Sequence, residues 1–437
     1  MRIVVTGQIG LDKKQYLQQV ATLARSHGES LQTYHIGDMM YREAADIPAG
    51  RILDLPLSRL NSLRRAVFRD ILSEAAAHPH ILINTHATFR WKHGLFAAFD
   101  FDQLAAFNAD LYICLVDNIE TVHERMVRDH ETEHSLKDLM VWREEEILAT
   151  EILAKANVRT GAGGSAGMGG GGSAEQPKFF VLSRGRAPAS TAETLFRLIF
   201  RPAMKRVYPS FPMTHIHDLP DTLAEVNAFR AQMAQHFITF DPGDVDEKLL
   251  ADQAQQAAKQ GRTTIEIPAS PPASAIPLTS SKTRNSKLKT QDSKLRGGET
   301  RNSKPETRNL KLPTADILAI LPDIDGQIYS RDFLLVRQSD MVISYIPEIP
   351  APSGADAPVG SRGGKKAPGK PGLSSGVERE LQHAHDHGRE TYIIWKPAQA
   401  PSPFITQTAT KVFRSTEEAL AHFDQKGYLR PHTLFGG

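Results

Sequence analysis

The sequence predicts an α/β protein built from two parallel sheets, each flanked by helices, with a boundary near Pro202. Three observations lead there. Short apolar strand-like runs alternate with helical patterns throughout the chain, the signature of a parallel sheet covered by helices. The series restarts at Arg206 with a new first strand. At 437 residues the chain has room for two or three domains of roughly 100 to 200 residues each.

In the first series, strand Arg2 to Thr6 leads to helix Lys13 to Ser26, strand Leu31 to His35 and a long helix from about Ser58 to Ala77. Strands His80 to Asn84 and Leu111 to Val116 follow, then helices Ile119 to Arg128 and Leu136 to Ala156. Strand Lys178 to Leu182 and helix Thr191 to Phe200 close the series with its fifth strand. The second series reads strand Arg206 to Tyr208, helix Pro220 to Gln235, strand Phe237 to Phe240, helix Val245 to Gln260 and a short strand near Thr264 to Ile267. Helix Tyr329 to Gln338, strand Met341 to Tyr345, helix Gly376 to His387, strand Thr391 to Trp395 and helix Thr416 to Phe423 complete it, around a core of its own.

Three stretches lack the apolar residues that would offset the entropy of ordering them, and are expected to be disordered inserts. Thr160 to Ser173 is nearly all Gly, Ala and Ser, a flexible-coil composition. Pro268 to Pro313 repeats Thr-Arg-Asn at Thr283, Thr300 and Thr307, and between Lys282 and Lys311 carries ten basic residues against three acidic. It has no aromatic residues for base stacking, so specific nucleic-acid binding is not expected. Pro350 to Pro371 is rich in Pro, Gly and Lys. The expected division is 1–202, with the Gly-rich insert at 160–173, and 203–437, with inserts at 268–313 and 350–371.

Composition narrows the function. A net charge of +2, from 52 Lys+Arg against 50 Asp+Glu, supplies no global field toward nucleic acid or acidic membrane. The single cysteine, Cys114, lies in an apolar strand and excludes an internal disulfide or a cysteine-rich zinc site. No apolar stretch approaches the roughly 18 residues of a membrane span. The expectation is a soluble cytoplasmic protein with no membrane partner.

Gly7-Gln8-Ile9-Gly10-Leu11-Asp12-Lys13-Lys14 lies between first strand and first helix, where backbone N–H groups and a Lys can face phosphates. Against G-x-x-x-x-G-K-[ST], Asp12 replaces the second Gly and Lys14 the metal-binding hydroxyl, so the loop by itself is also compatible with an ordinary strand-to-helix turn. His35-Ile36-Gly37-Asp38-Met39-Met40, Asn84-Thr85-His86-Ala87-Thr88, Val116-Asp117-Asn118, Arg125, Arg128 and Glu144-Glu145 stand in a matching order. Over about residues 1 to 202 this resembles the archaeal-type adenylate kinases. The resemblance implies a P-loop NMP-kinase fold, with ATP phosphates at Gly7, Gly10, Lys13 and Lys14, and a monophosphate acceptor and lid around Asp38, His86, Arg90, Arg125 and Arg128. ATP and Mg²⁺ are the ligands it implies. Asn84 and Lys14 replace both side chains expected to organise Mg²⁺, so the pattern is compatible with retained phosphotransfer or with nucleotide binding without turnover. From the residues alone, His86 also reads as a strand-end core histidine, and Arg125 and Arg128 as solvated helix charges.

Further on, Arg331-Asp332-Phe333, Ser339-Asp340-Met341 and Ser374-Ser375-Gly376-Val377-Glu378-Arg379-Glu380-Leu381 with Ala384 put an acid on a helix before a strand. After that strand, a small-residue turn opens a helix with carboxylates in its first turns, at the carboxyl edge of a sheet where ligands of open α/β folds bind. The order and spacing resemble the nucleoside 2-deoxyribosyltransferase superfamily, most closely its 2'-deoxynucleoside 5'-phosphate N-hydrolase branch, over about residues 204 to 425. The resemblance implies a flavodoxin-like fold with Glu380 as nucleophile at the anomeric carbon. Asp332 would assist the leaving base or hold the sugar, and Tyr208 would orient Glu380. Ser374, Ser375 and Gly376 would receive a 5'-phosphate or hydroxyl. No metal or other cofactor is needed for that step. Glu378 and Glu380 also read as carboxylates favouring a helix dipole, Asp332 as a surface charge and Tyr208 as a core aromatic. His215 and His217 lack a third ligand and read as a polar turn.

Together these readings give a nucleotide-metabolising protein that cleaves or exchanges an N-glycosidic bond, fused to a kinase-like ATP-binding region. Its partners would be nucleotides or nucleosides, and a homo-oligomer is expected from the transferase resemblance. A sensor-effector, and an active kinase with a non-catalytic C-terminal region, are the alternatives.

Overall fold

The structure is a computed structural model that describes residues 1–48, 50–91, 94–130, 134–157, 176–185, 188–216, 218–267, 310–350 and 369–429. In the first half, β1 (Arg2–Thr6), α1 (Lys13–Ser26), β2 (Gln32–His35), α2 (Ile36–Glu43), α3 (Leu57–Glu74) and β3 (Ile81–Asn84) lead into a hairpin of β4 (Thr88–Trp91) and β5 (Gly94–Ala97). Then come α4 (Phe101–Phe107), β6 (Leu111–Val116), α5 (Ile119–His130), α6 (Leu136–Ala156), β7 (Lys178–Ser183) and α7 (Pro188–Phe200). The five strands order β2-β3-β1-β6-β7, all parallel. β6 is buried at every residue because helices cover both faces of the sheet. α1 buries Tyr16, Leu17, Val20 and Ala24, one face of a helical repeat. Ser135 caps α6 by accepting the Asp138 N–H at 3.1 Å.

The second half runs β8 (Arg206–Ser210), α8 (Met213–Ile216), α9 (Pro220–His236), β9 (Ile238–Thr239), α10 (Lys248–Lys259) and β10 (Thr264–Ile267). After the undescribed residues come β11 (Leu310–Pro313), α11 (Thr314–Ala319), α12 (Leu321–Gln338), β12 (Met341–Ile346), β13 (Glu348–Ile349) and β14 (Lys370–Pro371). α13 (Ser375–Asp386), β15 (Glu390–Trp395), α14 (Pro403–Thr408), β16 (Lys411–Phe413) and α15 (Thr416–Gln425) finish it. The parallel sheet β9-β8-β12-β15-β16 has the flavodoxin order, second strand outside the first and then third, fourth and fifth. Its direction of winding switches between β8 and β12, so the crevice beyond their carboxyl ends is the place a ligand can enter. Asp340 fastens those strands by accepting the Arg206 backbone N–H at 2.8 Å and its Nε–H at 3.0 Å.

Three expectations are corrected. The stretch 268–313 ends in a strand, since Leu310–Pro313 pairs antiparallel with Thr264–Ile267, burying Leu312 against Ile265. That pair stands apart from the five-stranded sheet. Likewise Lys370–Pro371 pairs with Glu348–Ile349, so the third low-complexity stretch ends in a short ladder. The remainder of both stretches, the Gly-rich 160–173 and His217 lie outside the described residues. Nor does the second half have a wholly separate core: one apolar cluster runs from Ile3 and Val5 through Leu182, Phe240 and Leu335 to Val342 and Ile393. Phe180 stacks on Phe240 with ring centroids 5.6 Å apart, joining the two sheets. Among the described residues no helix is long and apolar enough to cross a membrane.

Candidate functional site

The N-terminal loop turns on two glycines. Gly7 has φ +129° and Gly10 φ +83°, and a Cβ at Gly7 would lie 2.6 Å from the Leu115 carbonyl oxygen. Asp12, left-handed at φ 47°, leads directly into α1. Its carboxylate faces Arg125 Nε at 3.5 Å and Arg184 Nη2 at 3.7 Å, rather than standing unbalanced among phosphate donors. Both arginines also pair with the buried Asp117, Arg125 at 2.8 Å and Arg184 at 3.6 Å, so Arg125 is an internal ion-pair residue behind the loop.

Lys13 is buried; its ammonium donates to the Gly7 carbonyl and sits 3.1 Å from His86 Nδ1. Burial lowers its pKa to about 8, against the opposing charge of Glu146. Glu146, from α6, accepts the backbone N–H groups of Gly7 at 3.2 Å, Ala87 at 3.0 Å and Thr88 at 3.2 Å. Burial pushes this carboxyl up, but the His86 hydrogen bond, the His86 and Lys13 charges and the Ala87 amide outweigh it and hold it below its ordinary value.

The other N-terminal residues singled out in the sequence surround a cavity of about 450 Å³ lined by Lys14, Asp38, His86 and Arg90, with Tyr41, Phe89 and Trp142. Lys14 pairs with Asp38, and Arg90 makes a bidentate pair with Glu145. Arg128 is outside, 3.4 Å from Glu124. The cavity also holds Arg64, which local spacing did not single out. It is 2% exposed, donates to Asn61 Oδ1 at 3.0 Å and has no ion-pair partner among the described residues. Burial lowers its pKa to about 10, opposed by the charge of Asp100. Its signal lay in register: Leu60, Arg64, Val67, Phe68 and Ile71 form the buried stripe of α3.

Two side chains expected to organise Mg²⁺ are replaced. Lys14 is a cation already paired, and the Asn84 amide nitrogen faces His35 Nδ1 at 2.9 Å, leaving one buried neutral oxygen, Asn84 Oδ1. Among the described residues no group of three or more His, Cys, Asp or Glu could hold a metal ion by side chains alone, an arrangement that Mg²⁺ bound through nucleotide phosphates and water does not need.

The C-terminal constellation gathers at the β8/β12 switch. Glu380 on α13 is buried; its Oε1 accepts the Tyr208 hydroxyl at 2.8 Å and its Oε2 the Ser210 hydroxyl at 2.5 Å. Tyr208 and Ser210 lie two apart on β8 and so share a face, which makes Ser210 the partner that sequence reading missed. Burial raises the Glu380 carboxyl, and the two hydroxyls work against that rise. Asp332 on α12 is also buried and holds its proton up to about 8, through burial and the charges of Glu380, Asp246 and Glu247, with Arg331 opposing. Its Oδ1 has no hydrogen-bond partner. Burial, with the nearby carboxylates Asp332 and Glu380, keeps the Tyr208 phenol protonated well above its ordinary range. Ser374 caps α13, its Oγ accepting the Val377 N–H at 3.3 Å, and Ser375 and Gly376 form the first turn. Glu380, Asp332 and Tyr208 thus lie near one another. The serine turn sits at the helix entrance, on the same element as Glu380.

A family model described as an AAA domain matches residues 6–143. Together with the strand–loop–helix geometry, that makes the N-terminal region a P-loop kinase-like, nucleotide-binding domain. A gluconokinase from Sinorhizobium meliloti is a structural neighbour at 12% identity, covering 46% of this chain and 95% of its own, with a TM-score of 0.25, too low to carry an argument. Among curated proteins, none matches.

Proposed function

We propose that the protein divides into a nucleotide-binding P-loop region, residues 1–202, and a region of residues 203–437 that cleaves or exchanges the N-glycosidic bond of a nucleoside or its 5'-monophosphate. The observation that carries this is a pair of neighbouring buried carboxyls in different surroundings: Glu380 held by two hydroxyl donors that oppose the rise burial gives it, and Asp332, which burial raises to about 8. Glu380 attacks C1' as the C1'–N bond breaks, and Asp332 passes its proton to the departing base. A glycosyl ester forms on Glu380. Water, or the ring N–H of a second base, then gives its proton to Asp332 as its oxygen or nitrogen attacks C1' and frees Glu380. Tyr208 and Ser210 fix the rotamer of Glu380, and the α13 entrance at Ser374, Ser375 and Gly376 receives the 5' group.

In the P-loop region the loop from Gly7 to Lys13 takes the phosphates of ATP, and the cavity at Arg64, Asp38, His86 and Arg90 takes an anionic second ligand. The unfitted metal positions, Lys14 and Asn84, favour binding without phosphotransfer, which makes the N-terminal region a sensor for the glycosidic one. Incubating the full chain with a panel of deoxynucleoside and ribonucleoside monophosphates, and following free base by chromatography, tests the glycosidic reading. Release abolished in Glu380→Gln is expected. No release from any nucleotide or nucleoside by the folded wild type would sink it. ADP formation from ATP plus a monophosphate, lost in Lys13→Ala, would replace the sensor by a kinase.

A further inference from the structure

We propose that the N-terminal half completes the glycosidic site: Arg143, acting through Glu247, is a positioning residue for Asp332. The inference takes its kinetic meaning from the role proposed for Asp332, while the bridge itself has an independent readout.

Glu247, in the segment before α10, is a single carboxylate between two guanidiniums. Arg143 of α6 donates to its Oε1, and Arg331 of α12 donates to its Oε2 at 3.1 Å. The three are 2%, 1% and 5% exposed, respectively Arg143, Glu247 and Arg331. The Ile119 N–H, at the start of α5, points at Glu247 Oε1 at 3.3 Å. Arg143 also grips α12 directly, donating to Gln327 Oε1 at 2.6 Å, while Gln327 returns a hydrogen bond to the Met140 carbonyl at 3.1 Å. The helix that carries Asp332 is therefore clamped by the helix that carries Glu146 of the P-loop.

Arg331 and Asp332 are neighbours in sequence, yet Arg331 Nε stands 3.9 Å from Asp332 Oδ1, and neither buried atom has a hydrogen-bond partner. A guanidinium so close would donate to the Asp332 oxygen unless something held it back. Glu247 does so by engaging the other end of the fork, and Arg143 supplies the second positive charge that lets Glu247 stay ionised in the interior. The groups facing Asp332 are Arg331 on its own helix, Glu380 on α13, Tyr208 on β8, and Asp246 and Glu247 beside α10. Glu144 of α6 shares the field of Arg143, Arg331 and Glu247.

Opposite signs follow for two substitutions. Without the Arg143 charge, Glu247 draws Arg331 further onto itself and the field at Asp332 becomes more negative, so Asp332 holds its proton more tightly. Without the Glu247 charge, Arg331 is released toward Asp332, which then ionises more easily. The test is a carboxyl ¹³C NMR titration of the full chain labelled at aspartate, with Asp332→Asn to assign the signal. Arg143→Met is expected to raise the Asp332 midpoint by about one pH unit and Glu247→Gln to lower it by about two, whereas Arg143→Lys stays near wild type. Midpoints within about 0.3 pH units of wild type in both charge-removing variants, or shifts of the same sign, would overturn the bridge. Should Glu247→Gln fail to fold, the contrast between Arg143→Met and Arg143→Lys decides alone: equal midpoints overturn it. In parallel, the alkaline limb of base release should follow the NMR midpoint. Shifts of the stated signs without any base release by wild type would uphold the bridge and remove the glycosidic reading.

Discussion

The loop region and the region around Glu380 treat charge differently. Around the loop nearly every ion has its counter-ion: Asp12 meets two arginines, Lys14 meets Asp38 and Arg90 meets Glu145. At the switch between β8 and β12, Asp332 instead keeps a proton and leaves an oxygen unpartnered. Compensated charge makes a rigid frame that binds. Uncompensated charge makes a group whose protonation is poised for transfer. Arg64 is the exception that marks where the frame is open, a desolvated cation facing a cavity.

Four substitutions would break or sharpen this contrast. Glu380→Gln should cut base release by about 10⁴-fold or more, because Glu380 is the side chain proposed to form the ester. Asp332→Asn should cost about 10²- to 10⁴-fold and erase the alkaline limb near about 8 from the pH–rate profile. A profile with an unchanged alkaline limb would assign it elsewhere. The same carboxyl gives a sign in stability. The native state binds its proton up to about 8, whereas an ordinary aspartate releases it near 3.8, so the native state holds more protons in between and stability falls as pH rises through that window. Chemical denaturation at several pH values should show that slope flattened in Asp332→Asn.

Tyr208→Phe removes one of two hydroxyls on Glu380 and should lower kcat about tenfold, the size of one hydrogen bond to a charged group, while leaving Km little changed. At the loop side, Arg64→Met removes a buried cation that has no ion-pair partner among the described residues and keeps the side-chain volume. It should raise stability by about 1 kcal/mol in thermal unfolding while weakening inorganic phosphate binding measured by calorimetry. A loss of stability, or unchanged phosphate binding, would show that Arg64 has a structural partner instead.

Much of the frame was legible because local periodicity decides it. β1, α1, β6 and α6 begin and end where the apolar pattern places them. The β4–β5 hairpin was not, since Thr88–Ala97 mixes aromatic, basic and glycine residues with no clean alternation. α12 starts at Leu321, earlier than the apolar pattern suggests, with Pro322 in its first turn, where a missing N–H costs nothing. Within the candidate sites, Glu380, Asp332 and Tyr208 came from motif order, and Ser210 was available from the two-residue strand repeat. Glu146, Arg184 and Glu247 were beyond reach. Each gains its meaning from partners tens of residues away, and no spacing rule announces a lone carboxylate that will cap three amides or bridge two arginines.

The outer strand of the first sheet is finished by a side chain rather than by another strand. Gln338 of α12 accepts the Val181 N–H at 3.0 Å and donates to the Val181 carbonyl at 2.8 Å, an amide standing in for a peptide group. Truncation near Pro202 would strip that cover from β7 and bare a sticky edge beside Phe180, inviting edge-to-edge aggregation. Dissecting the two regions therefore calls for point substitutions in the intact chain, since a fragment would report its own precipitation.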